Sequence, residues 1–254
     1  MRAPGPAERF DLSGRVALVT GGSRGLGREM VRAFAAAGAD VVIASRKLDA
    51  CADLAAEIEK STGRRALVHA CHVGRWEELE DLVDAAYGEF GRLDVLVNNA
   101  GMSPVYDTPA DISEALWDKV LDVNLKGPFR LSALAGPRMA EAGSGSIINI
   151  SSVAAVRPGP DVIPYAAAKA GLNAITVALA HAFAPAVRVN CIMAGPFLTD
   201  ISQGWQAGTR ESLGRLALGR AGDPSEITGA ALYLASDASS FTTGAVIPVT
   251  GGTP

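Results

Sequence analysis

The sequence is poor in the residues that staple or chelate. Three cysteines, Cys51, Cys71 and Cys191, stand among 254 residues, with no C-x-x-C pair. That excludes a disulfide framework from expectation and points to a reducing, cytoplasmic setting. His69, Cys71 and His72 look superficially metal-like, but no fourth ligand accompanies them, so no metal is expected. Basic excess is also missing: 23 basic against 27 acidic residues leave a net charge of −4. No nucleic-acid partner is therefore expected. The opening MRAPGPAERFDLSG has no apolar stretch of signal-peptide type. The richest apolar run, 166–184, is interrupted by Lys169, Asn173 and His181. It falls short of the roughly 18 apolar residues a membrane span needs, so no membrane partner is expected. There is no internal repeat, low-complexity stretch or linker, so a single domain over 11–254 is expected. Residues 1–10 hold two prolines and no periodicity, and read as a flexible arm.

What is present is ordinary core material: 48% hydrophobic and 20% charged residues, in a chain long enough to fold without staples. Short apolar runs at 16–20, 41–45, 65–70, 93–98, 146–151, 187–192 and 246–249 read as strands. Helical patterns lie at 25–37, 49–60, 76–87, 113–141 and 164–184. Strands alternate with helices, and the strands are continuously apolar rather than alternating. That combination predicts an α/β fold with a doubly wound parallel sheet covered by helices on both faces. The rhythm breaks at 196–225, which contains Trp205 and several glycines and reads as a substrate loop.

Thr20-Gly21-Gly22-Ser23-Arg24-Gly25-Leu26-Gly27 joins the first strand to the first helix. A phosphate needs backbone N–H groups aimed at it and no Cβ in the way, and a helix N-terminus adds a favourable dipole. The turn therefore predicts a dinucleotide site of the Rossmann type, made by Gly21, Ser23, Arg24, Gly25, Leu26 and Gly27. At the end of the second strand an acidic residue would bind the ribose diol. Here Ser45, Arg46 and Lys47 stand instead. Two guanidiniums (Arg24, Arg46) and a hydroxyl suit a 2′-phosphate, so NADP(H) is expected over NAD(H), which remains possible.

Tyr165 and Lys169 lie at i and i+4 on one helical face, and Ser152 precedes the tyrosine by thirteen residues. In an open parallel sheet, ligands bind at the carboxyl ends of the strands, where Ser152, the glycine turn and Asn98 would converge. Taken together these residues resemble the short-chain dehydrogenase/reductase family over about residues 11–252. TGGSRGLG (20–27), NNAG (98–101), Asn124 in LDVNLKGPF, Ser152 in IINISSV, and Tyr165 with Lys169 match its motifs in order and spacing.

The resemblance implies a single Rossmann domain of about seven strands acting on a small-molecule carbonyl or alcohol. It implies that Tyr165 is the general acid and base and that Ser152 polarises the substrate oxygen. Lys169 would hold the nicotinamide ribose and lower the tyrosine pKa, and Asn124 would support a proton relay to Lys169. Asn98, Ala100, Gly101, Gly195 and Thr199 would border the cofactor. A tyrosine starts near pKa 10, so base chemistry at neutral pH asks for a shift of about three units. A homotetramer or homodimer through the helices at 113–141 and 164–184 is also implied.

The chain departs from the family at several points. His72-Val73 replaces the usual Asp-Val beside the adenine, where a neutral imidazole could accept the same bond. Ala194-Gly195 replaces Pro-Gly, and Thr250 stands where aspartate is frequent. Met102, Val105, Ala154, Ala155, Phe197 and Trp205 would form an apolar pocket suited to a lipophilic or cyclic ketone. The alternative substrate is a 3-oxoacyl thioester on a carrier protein. Those reductases carry a basic residue where Ala186 stands, leaving Arg130 and Arg138 as substitutes. A non-catalytic dinucleotide sensor is the alternative from another class, and it would have no use for the intact tetrad.

Overall fold

Parallel strands shielded on both faces must be apolar on both faces, and the strands form where the apolar runs lie. The computed structural model describes residue 5 and residues 7–199 and 213–253. The strands are β1 (Val16–Thr20), β2 (Asp40–Ser45), β3 (Ala66–Ala70), β4 (Val95–Asn98), β5 (Gly145–Ser152), β6 (Val187–Ala194) and β7 (Val246–Val249). They form one seven-stranded sheet in the order β3-β2-β1-β4-β5-β6-β7, with every pairing parallel. The helices are α1 (Gly25–Ala36), α2 (Leu48–Thr62), α3 (Glu78–Phe90), α4 (Glu114–Leu121), α5 (Gly127–Glu141), α6 (Ile163–Ala182) and α7 (Thr228–Ala235).

Alternation along β1 divides the core. Ala17 and Val19 face a cluster with Phe34, Ile43, Ile58 and Leu234, under α1, α2 and α7. Val16 and Leu18 face the other cluster, with Leu79, Leu131, Ile147 and Leu179, under α3, α5 and α6. Chain direction across the sheet reverses between β1 and β4. The loops leaving these two strands diverge there, opening a crevice at the strand carboxyl ends.

Three expectations change. The helical stretch at 113–141 is two α-helices joined by a π-helical turn, Asp122–Lys126, which contains Asn124. The N-terminal arm ends in a 3-10 turn, Glu8–Phe10, with no buried residue. Helix α7 was not expected, because TGAALYLA is apolar nearly all round and carries no amphipathic period. Helix α6 is long and apolar enough by length and composition to cross a membrane. It nevertheless packs on β5 and β6 and supplies Leu172 and Leu179 to the buried interior. Of the proposed loop at 196–225, Phe197 bridges Gly222 and residues 217–218 bond to residues 251–252. Residues 200–212, including Trp205, lie outside the described residues.

Candidate active site

The glycine turn is held by the fourth strand's loop. Thr20 Oγ1 accepts the N–H groups of Asn99 (3.0 Å) and Ala100 (3.1 Å) and donates to Val97 O (3.2 Å). Asn99 Nδ2 donates to the carbonyls of Thr20 (2.8 Å) and Gly21 (3.2 Å). Gly21 has φ +63°, a left-handed conformation open to glycine. A Cβ on Gly27 would stand 2.2 Å from Gly21 O, so α1 can start this close to the turn only with glycine there. The turn and the end of β2 meet through Ser23 Oγ and Ser45 Oγ, 3.0 Å apart. Arg24, Arg46 and Lys47 are exposed along this edge.

On the facing side, His72 sits just beyond β3. Its N–H donates to Glu78 Oε2 (2.7 Å), and its Nδ1 accepts from Gly74 N–H (3.1 Å). With Nδ1 occupied, the neutral ring carries its proton on Nε2. It therefore presents a donor, not the acceptor expected in place of aspartate. Neighbouring Cys71 is a neutral thiol: burial and, after it, the Glu78 carboxylate push it up to about 12.

Helix α6 begins at Ile163, two residues before Tyr165, and buries Lys169 almost completely, at 3% exposure. Lys169 Nζ donates to Ile150 O at 2.7 Å and stands 5.6 Å from the Tyr165 ring centroid. The Ser152 side chain acts on the Tyr165 phenol and favours its ionised form, and Ser152 Oγ accepts from Ala154 N–H (3.2 Å). Ser151 Oγ donates instead to Lys169 O at 3.3 Å, so Ser152 is the serine that meets the phenol.

Asn124 Oδ1 accepts Met102 N–H (3.2 Å), and its Nδ2 donates to Met102 O and Val120 O, both at 2.9 Å. A Cβ on Gly101 would lie 3.0 Å from Asn124 Oδ1 and 3.7 Å from Lys169 Nζ. The asparagine, Gly101 and the ammonium thus adjoin.

Burial dominates the electrostatics. It holds the Tyr165 phenol above its ordinary value, against the opposing Ser152 hydrogen bond. It also pushes the Lys169 ammonium down to about 8. For the phenol, burial outweighs the effect of Ser152, and the Lys169 ammonium is bonded to Ile150 O.

The glycine turn, Ser45, His72, Gly101, Ser152, Tyr165 and Lys169 border one cleft of about 1240 Å³. Its size accommodates a dinucleotide and a small substrate together. The turn supports the same fit: glycines stand where a side chain would fill the cradle, and N–H groups of the α1 N-terminus are available to an anion.

The comparisons with known proteins agree with this geometry. A family profile described as "Enoyl-(Acyl carrier protein) reductase" matches residues 21–254. Human "Dehydrogenase/reductase SDR family member 4" is 36% identical over 258 residues, covering 100% of this chain and 92% of that protein. The chain belongs to the short-chain dehydrogenase/reductase family. A 2-dehydro-3-deoxy-D-gluconate 5-dehydrogenase from Pseudoalteromonas atlantica is 38% identical, covering 96% of this chain and 98% of that one. The structure of an NADPH-dependent 3-quinuclidinone reductase from Rhodotorula rubra superposes with a TM-score of 0.94 at 32% identity. That match covers 100% of this chain and 96% of the reductase.

Within this short-chain dehydrogenase/reductase, most residues expected at the site do line the cleft. They include Gly21, Ser23, Arg24, Gly25, Leu26, Ser45, Arg46, His72, Val73, Ala100, Gly101, Ser152, Tyr165, Lys169, Gly195 and Thr199. Three do not. Asn98 is 1% exposed, and its Nδ2 donates to Pro128 O, Ser132 Oγ and Asn149 Oδ1, so it is a core residue. Gly27 serves the packing of α1, and Asn124 lies behind Gly101. Of the apolar set, Met102, Ala154 and Phe197 line the cleft, whereas Val105 and Ala155 do not.

Asn99, Lys119, Arg157 and Arg215 border the cleft without having been expected there. Asn99 was legible as part of NNAG. The three basic residues carry no local motif.

Proposed function

We propose that this enzyme interconverts a ketone and a secondary alcohol with NADP(H), using Tyr165 as general acid and base. The observation that carries the reading is the meeting of Ser152, Tyr165 and Lys169 with the glycine turn around one cleft. A bound nicotinamide dinucleotide supplies or accepts the hydride. The chain's residues do the rest. N–H groups of the turn hold the pyrophosphate, and Arg46 with Lys47 pairs with the 2′-phosphate. Lys169 holds the nicotinamide ribose. The Ser152 hydroxyl donates to the substrate oxygen, and the Tyr165 hydroxyl delivers the proton. Burial keeps the phenol protonated at neutral pH, which is the form that reduction requires. Asn124, adjoining the ammonium across Gly101, supports the route by which the proton is replaced.

Support for NADP(H) comes from Ser45, Arg46 and Lys47 at the end of β2, with no carboxylate among the described residues lining the cleft. The NADPH-dependent quinuclidinone reductase among the structural relatives is consistent with it. NADPH is expected to bind about tenfold to several hundredfold more tightly than NADH, the span set by partial solvent screening of exposed charge pairs. Fluorescence titration of both coenzymes measures it, and equal dissociation constants would reject the preference.

Met102, Ala154 and Phe197 favour a lipophilic or cyclic ketone over a polyol. A 3-oxoacyl thioester is the second reading, since the description of the matching family names a reductase of acyl groups on a carrier protein, there the enoyl group. Against it, Arg130 and Arg138, the candidate carrier-protein contacts, are engaged by Glu80 (3.3 Å) and Asp84 (2.6 Å). Trp117, Phe129 and Val177 stay exposed on α4, α5 and α6, which supports assembly into a homodimer or homotetramer through these helices. Light scattering of the purified protein checks this, and a monomer mass would reject it.

A further inference from the structure

Across most of this protein arginine is a paired residue. Ten arginines among the described residues hold a carboxylate within ion-pair distance, from Arg15 with Asp237 to Arg220 with Glu226. Arg157 and Arg215 form no ion pair or side-chain hydrogen bond among the described residues. Both are exposed, and both line the catalytic cleft. Arg157 follows the 3-10 turn Val153–Ala155 directly beyond Ser152, with its N–H bonded to Val153 O at 2.9 Å. Arg215 lies in a segment bound to the C-terminal residues through Ala217 N–H to Gly252 O (3.0 Å). The lining near them in sequence is largely apolar: Val153, Ala154 and Val162 flank Arg157, and Leu213 and Leu216 flank Arg215.

This pair is separate from the basic edge at β2. Three strand spacings divide β2 from β5, and neighbouring strands lie about 4.8 Å apart, so the two regions are roughly 14 Å apart. A phosphate on Arg46 and Lys47 leaves Arg157 and Arg215 unsatisfied. A neutral substrate would offer the two guanidiniums no charged partner. A carboxylate matches the guanidinium fork, and a cleft bordered by positive side chains concentrates anions.

We propose that the substrate is an amphipathic organic anion: an apolar body that brings its ketone to Tyr165 and a carboxylate held by Arg157 and Arg215. This rests on the ketone-reductase reading above. The test compares para-acetylbenzoate with its methyl ester in NADPH-dependent reduction. The acid is expected to exceed the ester in kcat/KM by about tenfold, a modest figure because the arginines are exposed. The ratio of acid to ester falls toward one in the R157Q/R215Q double variant and shrinks as salt is raised. It persists in R138Q, a change where α5 meets α3, outside the cleft. Equal kcat/KM for acid and ester in the wild type overturns the proposal, as does a ratio unchanged in the double variant.

If neither compound is reduced, the ketone-reductase reading fails with these substrates, and the anion site is judged separately by calorimetric titration of the NADPH-loaded protein. Tighter binding of the acid that is lost in R157Q/R215Q upholds the site. Equal binding of acid and ester overturns it.

Discussion

Replacement of Tyr165 by phenylalanine is expected to lower kcat for carbonyl reduction by about 10²–10⁴-fold, the range for loss of a positioned general acid. The dissociation constant of NADPH should stay within about twofold, because the edit leaves the aromatic ring and every cradle residue in place. The reason is local. Ser152 is the serine that acts on the Tyr165 phenol in the cleft, whereas Ser151, the neighbouring hydroxyl, is committed to Lys169 O. Single-turnover oxidation of bound NADPH, followed by absorbance, measures the effect. Turnover retained at the wild-type rate would move the proton donor to another group. The same electrostatics predict an asymmetry between directions. The raised phenol favours reduction at neutral pH, whereas alcohol oxidation needs the phenolate and should gain as pH rises toward the phenol's pKa.

Lys169→Met is expected to abolish most turnover and yet stabilise the fold at pH 7. Burial lowers the ammonium from 10.5 to about 8, so the native state disfavours the charged form. That penalty is complete below pH 8, fades as pH rises from about 8 to 10.5, and is absent above. A shift of about 2.5 units corresponds to about 3 kcal/mol. Removing the ammonium also leaves Ile150 O without its 2.7 Å donor. An unsatisfied buried carbonyl costs about 1–2 kcal/mol. The net gain at pH 7 is therefore about 1–2 kcal/mol, or a rise in Tm of roughly 2–8 °C for a chain of this size. At pH 10.5 and above, where the penalty has vanished, the variant should be the less stable protein. Denaturant melts of both proteins at pH 7 and pH 10.5 test the crossover. A variant less stable than wild type at pH 7 would mean that the Ile150 bond outweighs the burial cost.

The lysine's cost illustrates a trade that the fold accepts at the site. A buried cation with one carbonyl partner weakens the protein and positions the charge over the Tyr165 ring. Gly27 is a second such commitment. Its missing Cβ lets α1 start against Gly21 O, and it touches no part of the cleft.

Local pattern alone determined much of this protein. Strands β1, β2, β4 and β5 were legible because a parallel strand buried on both faces must be a continuous apolar run. The glycine turn was legible because a strand, a cluster of glycines and a helix follow one another within a few residues. Tyr165 and Lys169 were legible because a four-residue spacing fixes their common helical face. Other features were decided only when the elements packed. Asn98 and Asn99 are adjacent, and the motif does not say which of the two faces the cleft. The register that sets Asn98 opposite Asn149 turns it into the core and leaves Asn99 to brace the turn. Helix α7 carries no amphipathic period in its sequence, and only packing selects Ala231, Leu234 and Ala235 as its buried residues. Arg157 and Arg215 are 58 residues apart along the chain and come to line one cleft only through the tertiary fold. The pKa of Lys169 depends on which atoms exclude water from it, and that is a property of the assembled interior rather than of neighbours in sequence.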